Sequence, residues 1–413
     1  MLRSLTLENW KSFGTSRNVL EFAPLTLLVG PNASGKSNAL DALRFLQGCA
    51  LDFPLSDVLR GRYEGQREVW PAIRGGIVEA ARSGTEGFTL ATKWESGDDD
   101  DLVSIDVLTH RVRASCAGDV FVEEERLEEN GAYLFDTHAP SLKGATGRGA
   151  GGALRTALRA SGKGNSPTET YESHRLVLGQ AEPGGRVAHA VIEAARRLRG
   201  WLREATFLDI RPSLMRDLKP ENGGHLGASG ENISSVLYSL RESNQLEDIV
   251  GWLQELCDAD ITGIEFDRTD RLREVMLLLV EKGGRRISAR SASDGTLRFL
   301  GEVVALLTSP KGSLVVLEEP DVGLHPSRIR LLAELLEYVT RERGVQVLAT
   351  THSPTLLAQL SRGSLGSVVA FGRDPGSGDT VCARLGTLPY FETLRDAPNI
   401  EHLVSTGWLE RAL

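Results

Sequence analysis

Leu25-Thr26-Leu27-Leu28-Val29-Gly30-Pro31-Asn32-Ala33-Ser34-Gly35-Lys36-Ser37-Asn38 is the stretch on which the reading of the whole chain turns. An apolar run of strand character stops abruptly at Gly30. After the loop, Ala39, Ala42, Leu43 and Leu46 fall at i, i+3, i+4 and i+7, which predicts a helix beginning near Lys36 or Ser37. Strand, glycine loop, helix is the context in which GxxxxGK[ST] carries chemical meaning. Glycines let the backbone curl so that several N–H groups point inward, and the helix N-terminus adds the positive end of its dipole. Gly30, Asn32, Ala33, Ser34, Gly35 and Asn38 then form a cradle for a triphosphate. Lys36 bridges the β- and γ-phosphates and the Ser37 hydroxyl ligates Mg²⁺.

Outward from this loop, the same alternation of apolar strand and polar tip returns near the C-terminal end. Residues 313–317 form a buried strand ending in Glu318-Glu319-Pro320. Ile329, Leu332, Leu336 and Val339 mark a helix with Gly344 as its C-cap. Residues 345–349 form a further strand, stopping at Thr350-Thr351-His352-Ser353-Pro354. Polar residues at the carboxyl ends of successive strands describe a parallel sheet whose ligand sits at the strand tips. A nucleotide hydrolase needs two carboxylates there, and the pair Glu318-Glu319 offers them: one to hold Mg²⁺ through water and the other to orient and deprotonate the attacking water. His352, at the next tip, is placed to hydrogen-bond the γ-phosphate. Ser291-Ala292-Ser293-Asp294-Gly295-Thr296, just before an apolar helix at 297–307, reads as a second phosphate-binding helix start, with Ser293 and Gly295 as donors.

The remainder is less regular. Residues 2–7 and 19–22 read as short strands, and 274–281 as another. Alternation at 87–94 and 102–108 suggests a hairpin with Gly97-Asp98-Asp99-Asp100-Asp101 as a solvated tip. The glycine-rich stretch 144–166, which carries Arg148, Arg155, Arg159 and Lys163, reads as a mobile loop around a short helix. No heptad pattern persists there for the three or four repeats that a coiled coil requires. The C-terminal segment 371–413 is expected to add a strand or two and a closing helix from Glu392, with Trp408 and Leu409 as core anchors.

Composition narrows the class. The 413 residues carry 47 Lys+Arg against 56 Asp+Glu, a net charge of −9. That balance excludes an indiscriminate basic coat for nucleic acid while leaving a local basic groove open. There is no apolar run of membrane-spanning length and no signal-peptide core, so a cytoplasmic protein without membrane partners is expected. Cys49, Cys116, Cys257 and Cys382 show no CxxC spacing, which argues against a disulfide framework or a zinc site.

The ordered set 30–37, 291–296, 314–319, 321–326 and His352 resembles the ABC-type ATPase head of the SMC/RecF/OLD group, and within it the small bacterial RecF-like ATPases of the AAA type. Asn9-Trp10-Lys11-Ser12-Phe13 is similar to that group's N-terminal opening. The resemblance implies an α/β P-loop NTPase fold: a parallel-sheet core, antiparallel N-terminal strands and a large mixed insertion without a long coiled coil. The head would comprise 1–50 and 285–413, and the inserted lid or arm 51–284. It implies ATP and Mg²⁺ as ligands and a signature segment, Ser293-Asp294-Gly295, that contacts nucleotide on the opposite subunit. Glu318 would be the Walker B acid, Glu319 the base, Asp321 the D-loop acid and His352 the switch histidine. Glu318 departs from the commoner Asp, and Gln66 is the sole positional candidate for a Q-loop.

A signature that acts across subunits implies an ATP-dependent head-to-tail homodimer. Two readings of what this switch operates on stay open. One is a DNA-associated role in repair, recombination or phage defence, and the other is control of a separately encoded effector such as a nuclease or toxin. A transporter motor is disfavoured by the insertion of about 240 residues and the form of the signature.

Overall fold

The Leu25–Val29 strand is buried at every position, and its neighbours explain why. It lies in a six-stranded sheet in the spatial order Thr206–Leu208, Leu314–Glu318, Gln346–Thr351, Leu25–Val29, Val369–Arg373, Thr380–Arg384. All are parallel except the last. Both faces are covered, as a parallel sheet demands. Leu28, Val316, Leu348 and Phe371 face one core with the Lys36–Ala50 helix. Leu27, Val29, Val315, Leu317 and Val347 face another core with the Asp294–Thr308 and Pro326–Glu342 helices. In this computed structural model the described residues are 1–96, 106–142, 148–149, 152–161, 166–181, 187–256, 261–269, 271–389 and 391–392.

On the other side of the Lys36–Ala50 helix lies a nine-stranded antiparallel sheet that begins with Leu2–Glu8 and Asn18–Glu21. Gly87–Ser96 pairs with Leu2–Glu8, and Asp106–Ser115 pairs with Gly87–Ser96. The expected hairpin is therefore present, while its acidic tip at 97–101 lies outside the described residues. A four-stranded sheet built on Glu274–Glu281 and Ile261–Thr269 packs against the core of the Asp294–Thr308 helix.

Segment 51–284 shares its sheets with the ends of the chain. Its strands extend the sheet of Leu2–Glu8, and its Thr206–Leu208 strand pairs directly with Leu314–Glu318. In the glycine-rich stretch, the expected short helix is replaced by the strands Arg148–Gly149 and Ala153–Leu158. The reason is pairing: Ala153–Leu158 bonds to Thr168–Glu172 and Ala132–Asp136, burying Leu154, Thr156, Ala157 and Leu158. Lys163, Cys257, Trp408, Leu409 and the closing helix beyond Glu392 lie outside the described residues. Among the described residues the longest helix has 17 residues, short of three heptads, and no helix is long and apolar enough to cross a membrane.

Candidate nucleotide-binding site

Sheet register decides which side chains can meet. Thr351 is opposite Val29 and Glu318 opposite Thr350, so Gly30, His352 and Glu319 emerge at one end of neighbouring parallel strands. The loop leaving that end is shaped by its glycines. Gly30 has φ +155°, and a Cβ there would stand 2.3 Å from the Phe371 carbonyl oxygen; at Gly35, φ +106°, one would stand 2.2 Å from Thr380 Oγ1. Only glycine permits this close approach to the neighbouring strands. Lys36 is buried, and its Nζ donates to the carbonyls of Gly30 at 2.6 Å and Pro31 at 2.9 Å. Burial lowers its pKa below the usual lysine value, and the nearby Glu319 carboxylate opposes that shift.

Residues of the N-terminal turn clamp the start of the P-loop helix. Trp10 Nε1 donates to the Asn38 carbonyl at 2.7 Å, and Asn38 Nδ2 donates to Ser12 Oγ at 2.7 Å. Ser12 Oγ is in turn 2.7 Å from Thr380 Oγ1, which donates to the Ser34 carbonyl at 2.9 Å. Arg373 Nε donates to the Ala33 carbonyl at 2.8 Å. Trp10 is anchored edge-on against Phe88 (centroids 4.6 Å apart), with Phe45 packed beside both, contacts worth about 0.5–1.5 kcal/mol each beyond burial. The motif 9–13 is thus the buttress of the loop, and Asn38 serves it through both main chain and side chain.

At the facing strand tip, Glu319 adopts φ +48°. Its N–H donates to the carbonyl and hydroxyl of Thr350 at 3.1 and 3.2 Å. The backbone turn sends its carboxylate toward His352, with Oε1 3.5 Å from Nδ1; both side chains remain nearly half exposed. Asp321 is buried, one of its oxygens has no hydrogen-bond partner, and burial raises its pKa.

One residue was not anticipated. Arg74 spans from the P-loop helix to the neighbouring strand tip: its guanidinium contacts Asp41 at 3.0–3.2 Å, the Ser37 carbonyl at 3.1 Å and Glu318 Oε2 at 3.3 Å. Lys11 Nζ completes the cluster, donating to Asp41 and to the Arg74 carbonyl. Gln66 lies exposed in the turn between the Arg62–Glu64 and Arg67–Trp70 strands, while Arg74, eight residues on, reaches the site. The only sequence signal was an arginine before Gly75-Gly76, a pattern too common to stand out.

Ser293 caps the Asp294–Thr308 helix, its hydroxyl accepting from the Thr296 N–H at 3.1 Å. Ser293 and Asp294 are exposed, and Asp294 pairs with Arg216 at 2.5 Å. A Cβ at Gly295 would stand 3.1 Å from the Gly323 carbonyl, so the start of this helix and the turn after Asp321 are in close contact. Among the described residues no hydrogen bond or ion pair joins 293–295 to 30–38. The set near the loop suits a magnesium-bound polyphosphate. Ser34 Oγ is buried without a partner, Lys36 supplies a retained cation, and the Ser37 hydroxyl and Glu318 carboxylate are hard oxygen donors.

The family described as "AAA domain, putative AbiEii toxin, Type IV TA system" (AAA_21) matches residues 25–358. The chain belongs to this family. This AAA_21 member is 21% identical over 370 residues to an ATP/GTP phosphatase of Helicobacter pylori, covering 88% of each chain. It is 54% identical over 48 residues to the chromosome partition protein Smc of Mycolicibacterium paratuberculosis. That match spans 11% of this chain and only 4% of the Smc protein. The fold is that of an SMC-type head: a solved SMC head bound to the C-winged helix domain of ScpA superposes with TM-score 0.51 at 13% identity, over 93% of this chain and 98% of the other. The chain is accordingly an SMC-like P-loop ATPase by family and fold.

Proposed function

We propose that this chain binds ATP with Mg²⁺, hydrolyses it to ADP and phosphate, and uses the cycle to close and open a head-to-tail homodimer. The observation that carries this reading is the convergence of the Lys36 ammonium, Glu318, Glu319 and His352 at one end of the parallel sheet. Lys36 would leave its loop carbonyls for phosphate oxygens, a stronger charge-assisted contact. Glu319 would orient the attacking water and accept its proton, with His352 holding the carboxylate in place. Ser37 and Glu318 would hold Mg²⁺, which supplies charge neutralisation on the phosphates.

The dimer rests on Ser293 and Asp294, which face solvent rather than the chain's own loop. A second copy would bring them to the bound nucleotide, whose negative phosphates would then lie between two helix starts that each favour an anion. Ser293, Asp294 and Gly295 are the proposed contact.

We place the switch in DNA repair, recombination or defence against phage, supported by the Smc relative's role in chromosome partition by name. Control of a separately encoded effector is the second reading, favoured by the toxin–antitoxin term in the family description. ATPase rate measured with and without double-stranded DNA ends separates them: stimulation supports the first, an unchanged rate the second. A chain that binds ATP but releases no phosphate under either condition contradicts the hydrolase reading.

A further inference from the structure

At the far end of the P-loop helix, about 22 Å from the loop at 1.5 Å per residue, a cavity of about 460 Å³ is lined by Leu51, Arg196, Arg199, Gly200, Arg203 and Glu204. Leu51 is the C-cap of that helix, and the other residues lie on the His189–Glu204 helix. Arg196, Arg199 and Arg203 are spaced i, i+3 and i+7, so they project from one face. Nothing lies within 4 Å above the Cα of Gly200, which leaves the cavity floor open to the helix backbone.

The arginines of this helix are used in different ways. Arg197, on another face, is neutralised by Asp106 and Glu129. Arg199 is held by Asp52 and the Gly179 carbonyl, which fixes its guanidinium at the cavity wall. Arg196 and Arg203 are exposed and have no carboxylate partner among the described residues. The wall itself is firm: Gln47 Nε2 donates to the Ala205 carbonyl at 2.5 Å and ties the two helices together. Three guanidinium groups against Glu204 and the already engaged Asp52 leave the cavity positive.

We infer that this cavity is a second anion site, separate from the P-loop, that takes a phosphate-bearing ligand. Guanidinium forks match phosphate oxygens two at a time, and the volume suits a di- or triphosphate group or a short run of nucleic-acid backbone. Both sources present the same chemistry. The site does not depend on ATP turnover, so its success or failure is independent of the hydrolase reading.

The test uses the full chain carrying Lys36→Ala, so that the P-loop contributes least. Pyrophosphate is titrated by calorimetry, and a labelled 30-base-pair duplex by fluorescence anisotropy across a salt series. Arg196→Ala with Arg203→Ala is compared with Arg330→Ala with Arg341→Ala, two exposed arginines on the Pro326–Glu342 helix. Loss of pyrophosphate affinity by about tenfold or more in the first pair alone supports a free phosphate compound. A matching loss of duplex affinity, with the slope of log K against log salt shrinking by about two, assigns the ligand to nucleic-acid backbone. If neither ligand distinguishes the two double variants, or if neither binds, the inference is overturned. Arg196→Lys with Arg203→Lys, which keeps charge and solubility, guards against misfolding and should retain part of the binding.

Discussion

Arg74 places a guanidinium nitrogen 3.3 Å from Glu318 Oε2 while the same group grips Asp41 and the Ser37 carbonyl. A cation therefore already occupies the carboxylate that is proposed to hold Mg²⁺, and it is tied to the helix that begins at Lys36. Arg74 is half exposed, so solvent screening keeps its pair with Glu318 below about 1 kcal/mol. That is weak enough to be exchanged. Arg74→Ala is expected to lower the Mg²⁺ concentration that half-saturates nucleotide binding by several-fold, read by titrating a fluorescent ATP analogue. An unchanged half-saturation would show that the pair does not compete with metal.

Lys11 and Asp41 form a different kind of contact, since both side chains are almost wholly buried. Burial lowers the Lys11 pKa, and Asp41 is the main influence opposing it. Asp41→Ala leaves a buried ammonium without its carboxylate and should cost about 3–5 kcal/mol in urea unfolding. Replacing both residues together, Lys11→Met with Asp41→Leu, should recover part of that loss, since Arg74 still goes without its Asp41 partner.

Lys36→Ala removes the buried cation of the loop, whose Nζ donates to the Gly30 and Pro31 carbonyls. Nucleotide affinity is expected to fall by about a hundredfold, equivalent to about 2.7 kcal/mol, in equilibrium binding of the same analogue. Parent-like affinity would refute the role given to Lys36.

Glu302, on the Asp294–Thr308 helix, is fully buried with one oxygen unpartnered. Burial drives its pKa well above the ordinary carboxyl value; Arg298 opposes the shift and Asp321 adds to it. With the folded value above the unfolded one, its stabilising contribution is complete below about pH 4.5 and is lost as pH rises through the folded value. Glu302→Gln should therefore melt higher than the parent at pH 8, with the gap closing as pH falls toward 4.5. A constant gap across that range would show that Glu302 does not titrate with folding.

Much of the parallel core was legible because its signals are local. Leu25–Val29, the Lys36–Ala50 helix, Leu314–Glu318 and Gln346–Thr351 each declare themselves by period and by an abrupt polar end. The Asp294–Thr308 helix begins three residues before the apolar run suggests, because Ser293 caps it. What was not legible depends on distant pairing. Ala153–Leu158 is short and glycine-flanked, and it becomes a strand only through partners at 132–136 and 168–172. Thr206–Leu208 is three residues long and gains its place from Leu314–Glu318. Arg74 stands 244 residues from Glu318 in sequence, and no spacing rule connects them.

Glu319→Gln should preserve ATP binding while slowing phosphate release by about a hundredfold or more, which makes it the form in which nucleotide-bound assembly is visible. Its sedimentation with and without Mg²⁺ and ATP tests the central claim most directly. A dimer that appears only with ATP, and that Ser293→Arg abolishes, is the predicted result. A monomer at every concentration with ATP demonstrably bound, or a dimer indifferent to both ATP and Ser293→Arg, would contradict it.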